Sequence, residues 1–405
     1  MMRDSILEQD SAALGSLAIL RREALWTPAF VRLLCAASAF GFAFSSFHLL
    51  PKYLAVELGA GPGTIGAVAG VFGAAAVVTT LGLGSCIDRV SRRTLLTVAA
   101  LLMAATAAAF ICVDSVGVML YLLRTLQGVA FTMQMAAMST LIVEMAPAPR
   151  LGEAMGLSGS AMLIMNAVAP AIDEPLADAV GWPAVFGLAV IAALVSALLL
   201  GQGSAAERQR VNNNAAARAG LGQVLRSRQS SAYVGVVLLS AIAFAAMFTF
   251  LQPLALESGY HDVGGFFIAY ALAAVVVRVF FGWAADRLGR RAAATAALVL
   301  YVVVVAYVAL FGATSLYGIG AVFGVAHGVF YPSLSALALE HTRVDQRGRL
   351  MTLFAGAFNL GAWGGAAALG LIAEGAGYGA VFSVGALSAA GALLLLCRSR
   401  EVPLA

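Results

Sequence analysis

The chain has 405 residues, 61% of them hydrophobic and 11% charged, with a mean hydropathy of +0.93. A soluble domain carries about 25% charged residues, and no soluble core of this length needs so much apolar surface, so most of the chain must face lipid or other membrane helices. The net charge of +4 is spread over separate basic loops and not gathered in a patch, which argues against a nucleic-acid partner.

Residues 1–29 read as a cytoplasmic lead with a short surface helix over 14–25. Asp4, Glu8 and Asp10 ahead of a weak apolar run argue against a cleaved signal peptide. Twelve apolar segments follow, at about 30–57, 64–86, 94–113, 118–144, 153–178, 182–201, 231–257, 263–285, 292–312, 315–340, 350–374 and 378–397. A helix needs ~20 mainly apolar residues to cross the hydrocarbon, so each is long enough to span. Terse outer turns at 59–63, 178–181, 259–262 and 375–377 alternate with longer basic inner loops. Lys and Arg concentrate in alternate loops and tails, which by the positive-inside rule places both termini in the cytoplasm. The polar stretch 202–230, with Asn212, Asn213 and Asn214, reads as a cytoplasmic linker. It divides the chain into 30–201 and 231–397, six segments each, with 398–405 as a cytoplasmic tail. The cysteines Cys35, Cys86, Cys112 and Cys397 are isolated, and no metal-ligand spacing is present.

A charged turn recurs at the same place in both halves. Gly84 to Arg93 reads G-S-C-I-D-R-V-S-R-R, and Gly282 to Arg291 reads G-W-A-A-D-R-L-G-R-R. Other positions repeat with it. Asp178, Gly181, Trp182 and Phe186 correspond to Glu374, Gly377, Tyr378 and Phe382, and Gly152 and Met155 to Gly348 and Met351. A duplicated apolar chain of this kind is an internally repeated membrane protein. At G-x-x-x-D-R-x-x-R-R it resembles the major facilitator superfamily, over essentially all of 30–397; Ser91 stands in the first copy where the family usually has Gly. The resemblance implies an all-α membrane protein of twelve helices in two pseudo-symmetric six-helix bundles, with a substrate site between them near mid-membrane. It also implies an inner gate built on Gly84, Asp88, Arg89 and Arg92 and on Gly282, Asp286, Arg287 and Arg290. Each Asp would cap a helix of the opposite bundle, steadied by Arg92 or Arg290; the alternative is that these turns only keep the loops inside.

A charge inside an apolar run costs ~2.5–3.5 kcal/mol on insertion scales and so demands a reason. Arg124, in the fourth segment, sits in R-T-L-Q-G with Gln127, which resembles the R-x-x-Q-G motif of drug–proton antiporters, where the arginine is linked to proton coupling. The acids well inside a run are Asp173 and Glu174 in the fifth segment, and Arg124 and Asp173 lie nearly equally far from the turn at Pro149. At ~1.5 Å rise per residue they reach similar depth, so an Arg124–Asp173 or Arg124–Glu174 pair is expected. The family's helix-5 glycine pair after Pro170 is replaced here by those two acids. Asn166, Pro170 and Asp173 share a stripe, as do Phe44, His48 and Lys52 in the first segment. Arg278 lies two turns before Asp286, and snorkelling toward the cytoplasm accounts for it.

The expected proton-coupling residues are Asp173, Glu174, Arg124 and His48. The expected substrate cavity is Lys52, Gln127, Phe131, Gln134, Asn166, Gln252, His327, Tyr331, Asn359 and Trp363, polar and aromatic groups on helices where the family places its cavity. No nucleophile–base pair, metal cluster or phosphate loop is present, so neither an enzyme nor a cofactor is expected. The expected protein is a monomeric secondary transporter in the bacterial inner membrane, moving a small organic molecule by proton-coupled efflux. Proton-coupled uptake of a small organic acid, or a non-transporting sensor of the same fold, are the alternatives.

Overall fold

The computed structural model describes residues 25–82, 90–147, 150–201, 227–280, 287–343 and 346–399. Gly84, Asp88, Arg89, Gly282 and Asp286 lie outside the described residues, as does most of 202–230. The regular elements among the described residues are helices: α1 Pro28–Val56, α2 Pro62–Gly82, α3 Arg92–Phe110, α4 Val118–Met145, α5 Leu151–Val180 and α6 Trp182–Gly201. The second half has α7 Arg228–Glu257, α8 Gly264–Phe280, α9 Arg290–Phe311 and α10 Leu316–Glu340. The continuous run Arg347–Arg398 is two spans, α11 (347–376) and α12 (378–398), parted at Gly377 where φ is 77°. Gly181, with φ 100°, makes the equivalent break between α5 and α6. Both positions need the left-handed backbone that glycine adopts without steric cost.

Polar residues start several spans. Thr27 accepts from the Phe30 N–H ahead of α1, Ser91 from Thr94 ahead of α3, and Ser315 from Gly318 ahead of α10. Prolines shape the interiors. Pro51 lacks an N–H and its ring crowds the carbonyl four residues back, and there α1 tightens into a 3₁₀ turn, Ser46–Leu49. In α7 the turn before Pro253 widens into a π turn, Ala246–Phe250. Irregular backbone inside a membrane is tolerated where it faces protein or a cavity and not lipid.

The packing repeats between halves. α1 packs on α5 and α6, α3 on α4 and α6, and α2 on α4; α7 packs on α11 and α12, α9 on α10 and α12, and α8 on α10. The two six-helix bundles meet through α2 against α11 and α5 against α8. Small residues make the α2–α11 contact close: a Cβ on Gly66 would stand 2.6 Å from the Ala366 carbonyl oxygen and 2.7 Å from the Gly370 Cα. Without a hydrophobic force between helices in lipid, such backbone approach is what drives association. Because α2 and α8 begin, and α5 and α11 finish, at the end away from Gly201 and Arg228, these contacts lie at that far end. The other is the linker end.

Candidate functional site: a central cavity latched at the far end

At the far end one acid draws together three elements. Glu174 is 4% exposed and sits between Pro170 and Pro175 in α5. It accepts from Lys52 Nζ of α1 at 2.5 Å, and from the backbone N–H groups of Val263 (2.9 Å) and Gly264 (2.5 Å) at the start of α8. Lys52 is 6% exposed, donates also to the His261 carbonyl at 2.8 Å, and has Asp178 at 3.7 Å. The carboxylate therefore meets the positive end of α8's dipole across the bundle interface, and the lysine ties α1 to the α7–α8 turn. Gln252 of α7 adds a third tie, donating to the His48 carbonyl of α1 at 2.7 Å.

These contacts correct the expected pair. Glu174 bonds Lys52 and α8, while Arg124 donates to Gln127 on its own helix at 2.7 Å and lies 4.7 Å from the centre of the Phe72 ring. Asp173 is wholly buried, and neither carboxylate oxygen accepts a hydrogen bond. The neighbouring Ser46 hydroxyl is committed to the Phe42 carbonyl at 3.1 Å. Similar depth along two helices does not fix their rotation, and here the three groups turn to different neighbours.

Between the bundles lies a cavity of about 420 Å³, within the ordinary range for small-ligand sites. His48, Phe131, Gln134, Asn166, His327, Asn359 and Trp363 line it. His48 Nε2 lies 3.2 Å from Asn166 Oδ1, which also accepts from Ser45 at 2.7 Å. His327 Nδ1 lies 2.5 Å from the Tyr301 hydroxyl, and Phe131 stacks on Phe44 at 4.5 Å. Four residues expected on the wall are elsewhere. Lys52 and Gln252 belong to the far-end ties, Gln127 is buried beneath Arg124, and Tyr331 packs edge-on to Phe358 at 6.0 Å.

The wall also contains aromatic groups the sequence did not single out. Phe244 and Phe248 of α7 stack at 4.0 Å, with Tyr270 of α8 4.9 Å from Phe248 and Phe358 of α11 5.3 Å from Phe244. Arg278 lines the cavity instead of snorkelling. Its Nε donates at 3.4 Å to the Gly328 carbonyl of α10, the carbonyl that Pro332, four residues on, cannot satisfy. A charge inside an apolar run was the available signal. Its closeness to the charged turn pointed the wrong way.

Wall residues toward the linker end include Ile142, Ser139, Met155 and Ser158. At that end Arg92 pairs with Glu144 at 3.9 Å, and its counterpart Arg290 with Glu340 at 2.6 Å. Each pair joins the third helix of its bundle to the fourth. Arg287 is described, while the aspartates expected beside these arginines are not among the described residues.

A family model for the Major Facilitator Superfamily matches residues 32–268 and 236–405. Among solved structures, the nucleoside transporter NupG aligns with a TM-score of 0.74 at 15% identity, over 92% of this chain and 100% of that one. The peptide transporter POT gives a TM-score of 0.73 at 15% identity, over 91% and 93%. The human organic anion transporter MFSD10 (TETRAN) gives 0.65 at 16% identity, over 91% and 100%. At such identities the likeness is one of fold. With family matches that together run from residue 32 to the C-terminus, and with two helical bundles enclosing a cavity among the described residues, the chain belongs to the Major Facilitator Superfamily of membrane transporters.

Proposed function

We propose that the protein is a secondary active transporter that carries a small organic molecule across the bacterial inner membrane by alternating access, exporting it in exchange for protons. The observation that carries this reading is the far-end latch below which a central cavity lies: Glu174 on Lys52 and on the α8 N-terminus closes one end, as one of the two end states of such a cycle requires. With the linker end taken as cytoplasmic, this is the inward-facing state. Nucleoside, organic-anion and peptide transport by the three structural relatives are consistent with a small organic cargo.

The two adjacent acids divide the work. Glu174 acts as the latch. Asp173, buried and without a hydrogen-bond or ion-pair partner among the described residues, carries the exchanged proton: an ionised carboxylate shielded from bulk solvent without a paired cation is costly. Arg124 and His48, which line one small pocket together, are the charge and hydrogen-bonding groups assigned to the coupling alongside that acid. The test is proton movement in proteoliposomes on addition of candidate substrates. Asp173→Asn is expected to lose substrate-driven pH change while keeping substrate exchange at equal concentrations across the membrane. Full coupled flux in Asp173→Asn would remove Asp173 from the role. The sign of the pH change separates export by antiport from the alternative, uptake of an organic acid together with protons.

A further inference from the structure

The cavity has a chemical polarity that direction and coupling do not explain. Among the described residues its wall carries one formal charge that is cationic at any working pH, Arg278, and no carboxylate. Among the described residues that guanidinium has a single long hydrogen bond, to Gly328, and no acid within ion-pair distance. A membrane-embedded arginine facing a cavity without a counter-ion is costly to keep, and a ligand anion is the partner that offsets the cost. Around it the second bundle presents rings: Phe244, Phe248, Tyr270, His327 and Phe358 lie within 4.0 to 6.2 Å centroid separations of one another along the set. The opposite wall offers methionines of α4 and α5, Met135, Met138, Met155 and Met162, whose flexible thioethers adapt to a varied apolar outline.

We infer that the substrate is a small aromatic organic anion, its acid group held by Arg278 and its ring system slotted among the aromatic side chains of α7, α8 and α11. A planar guanidinium matches a carboxylate or sulfonate through two parallel hydrogen bonds, and an aromatic face offers offset stacking to a flat ligand. Organic cations are disfavoured, because they would meet Arg278 with no acid to answer them. This assignment rests on the transporter reading for its biological sense. Its test is binding alone, so failure of the one is distinguishable from failure of the other.

The experiment uses the full chain in lipid nanodiscs and three probes of like shape: naphthoate, naphthylmethanol and naphthylmethylammonium. Affinities are measured by isothermal titration calorimetry, with empty nanodiscs subtracting partition into lipid. Naphthoate should bind at least ~10-fold tighter than the alcohol and the ammonium, the size of one charge-assisted pair. Arg278→Gln should abolish that preference, and Arg278→Lys should retain part of it, since lysine keeps the charge and loses the fork. Melting temperature establishes that each variant is folded before titration. Equal binding of all three probes, tighter binding of the ammonium, persistence of the preference in Arg278→Gln, or binding of none of them would overturn the assignment. Naphthoate binding without substrate-driven proton flux would leave it standing and remove the coupled-transport reading.

Discussion

Replacing Glu174 by Gln should open the far end. The native carboxylate receives three donors, Lys52 Nζ and the Val263 and Gly264 N–H groups, all at or below 2.9 Å. Glutamine keeps one acceptor oxygen and turns an NH₂ toward groups that also donate. Hydrogen bonds to a charged group contribute about 1.5–3 kcal/mol each, and removing one partner of a buried ion pair costs about 3–5 kcal/mol because the other charge is stranded. Lys52 retains the His261 carbonyl and has Asp178 at 3.7 Å, so the lower end applies. A loss of about 3 kcal/mol from the latched state alone shifts the ratio of latched to open protein roughly a hundredfold. Spin labels at Gly61→Cys and Ser258→Cys, on exposed far-end turns of opposite bundles, report this as an interspin distance distribution in a background with the native cysteines replaced. The parent should show one short distance, and Glu174→Gln should add a long one as a major population. An unchanged distribution would mean that the latch does not hold the gate, and the division of labour between the two acids would fail with it.

Two further outcomes follow from packing. Gly66→Ala places a methyl 2.6–2.7 Å from the backbone of α11, and overpacking of that kind costs about 1–3 kcal/mol; the same labels should show a far-end open population raised at least about fivefold, with overall folding retained. Tyr301→Phe removes the hydroxyl facing His327 Nδ1. It should lower stability by about 1 kcal/mol in a denaturant titration, near the average for one hydrogen bond, because water in the cavity can replace it.

The architecture was legible because lipid imposes a coarse code: twelve apolar runs, short turns on one side and arginines on the other. The duplication could be read at single residues. Gly181–Trp182 and Gly377–Tyr378 were matched in sequence, and both glycines prove to be left-handed turns between the last two helices of their bundles. The cavity was partly legible for a similar reason. Residues such as His48, Asn166, His327 and Trp363 are polar or amphipathic on otherwise apolar helices, and lipid penalises them anywhere else. Pairings between helices were not legible. Residue counts gave Arg124 and Asp173 similar depth, but successive residues turn about 100° around a helix axis. Asp173 and Glu174 are neighbours in sequence, yet Asp173 has no hydrogen-bond partner among the described residues while Glu174 faces α8. Arg278 was misread because the carbonyl that steers it is freed by Pro332 on another helix, two spans along the chain.

The twofold relation between the bundles makes one more demand on the latch. α5 corresponds to α11 and α8 to α2, so the α5–α8 interface has a counterpart, and there Glu374, the residue matched to Asp178, lies with its carboxylate against Gly63 in the first turn of α2. Topology is the same at both interfaces, and each has a glutamate at a helix N-terminus. What differs is the surroundings: Glu174 is buried together with Lys52, whereas Glu374 is exposed and has no ion-pair partner among the described residues. If formal charge at a helix end held the gate, Glu374→Gln and Glu174→Gln would open it alike. If exclusion of water gives the contact its strength, the exposed copy is screened and contributes at most the few tenths of a kcal/mol of a surface helix-end charge. Glu374→Gln should then move the far-end distance distribution by less than about twofold at physiological salt. Comparable opening by the two variants would show that the latch is electrostatic at long range, and that the burial of Lys52 and Glu174 is incidental to it.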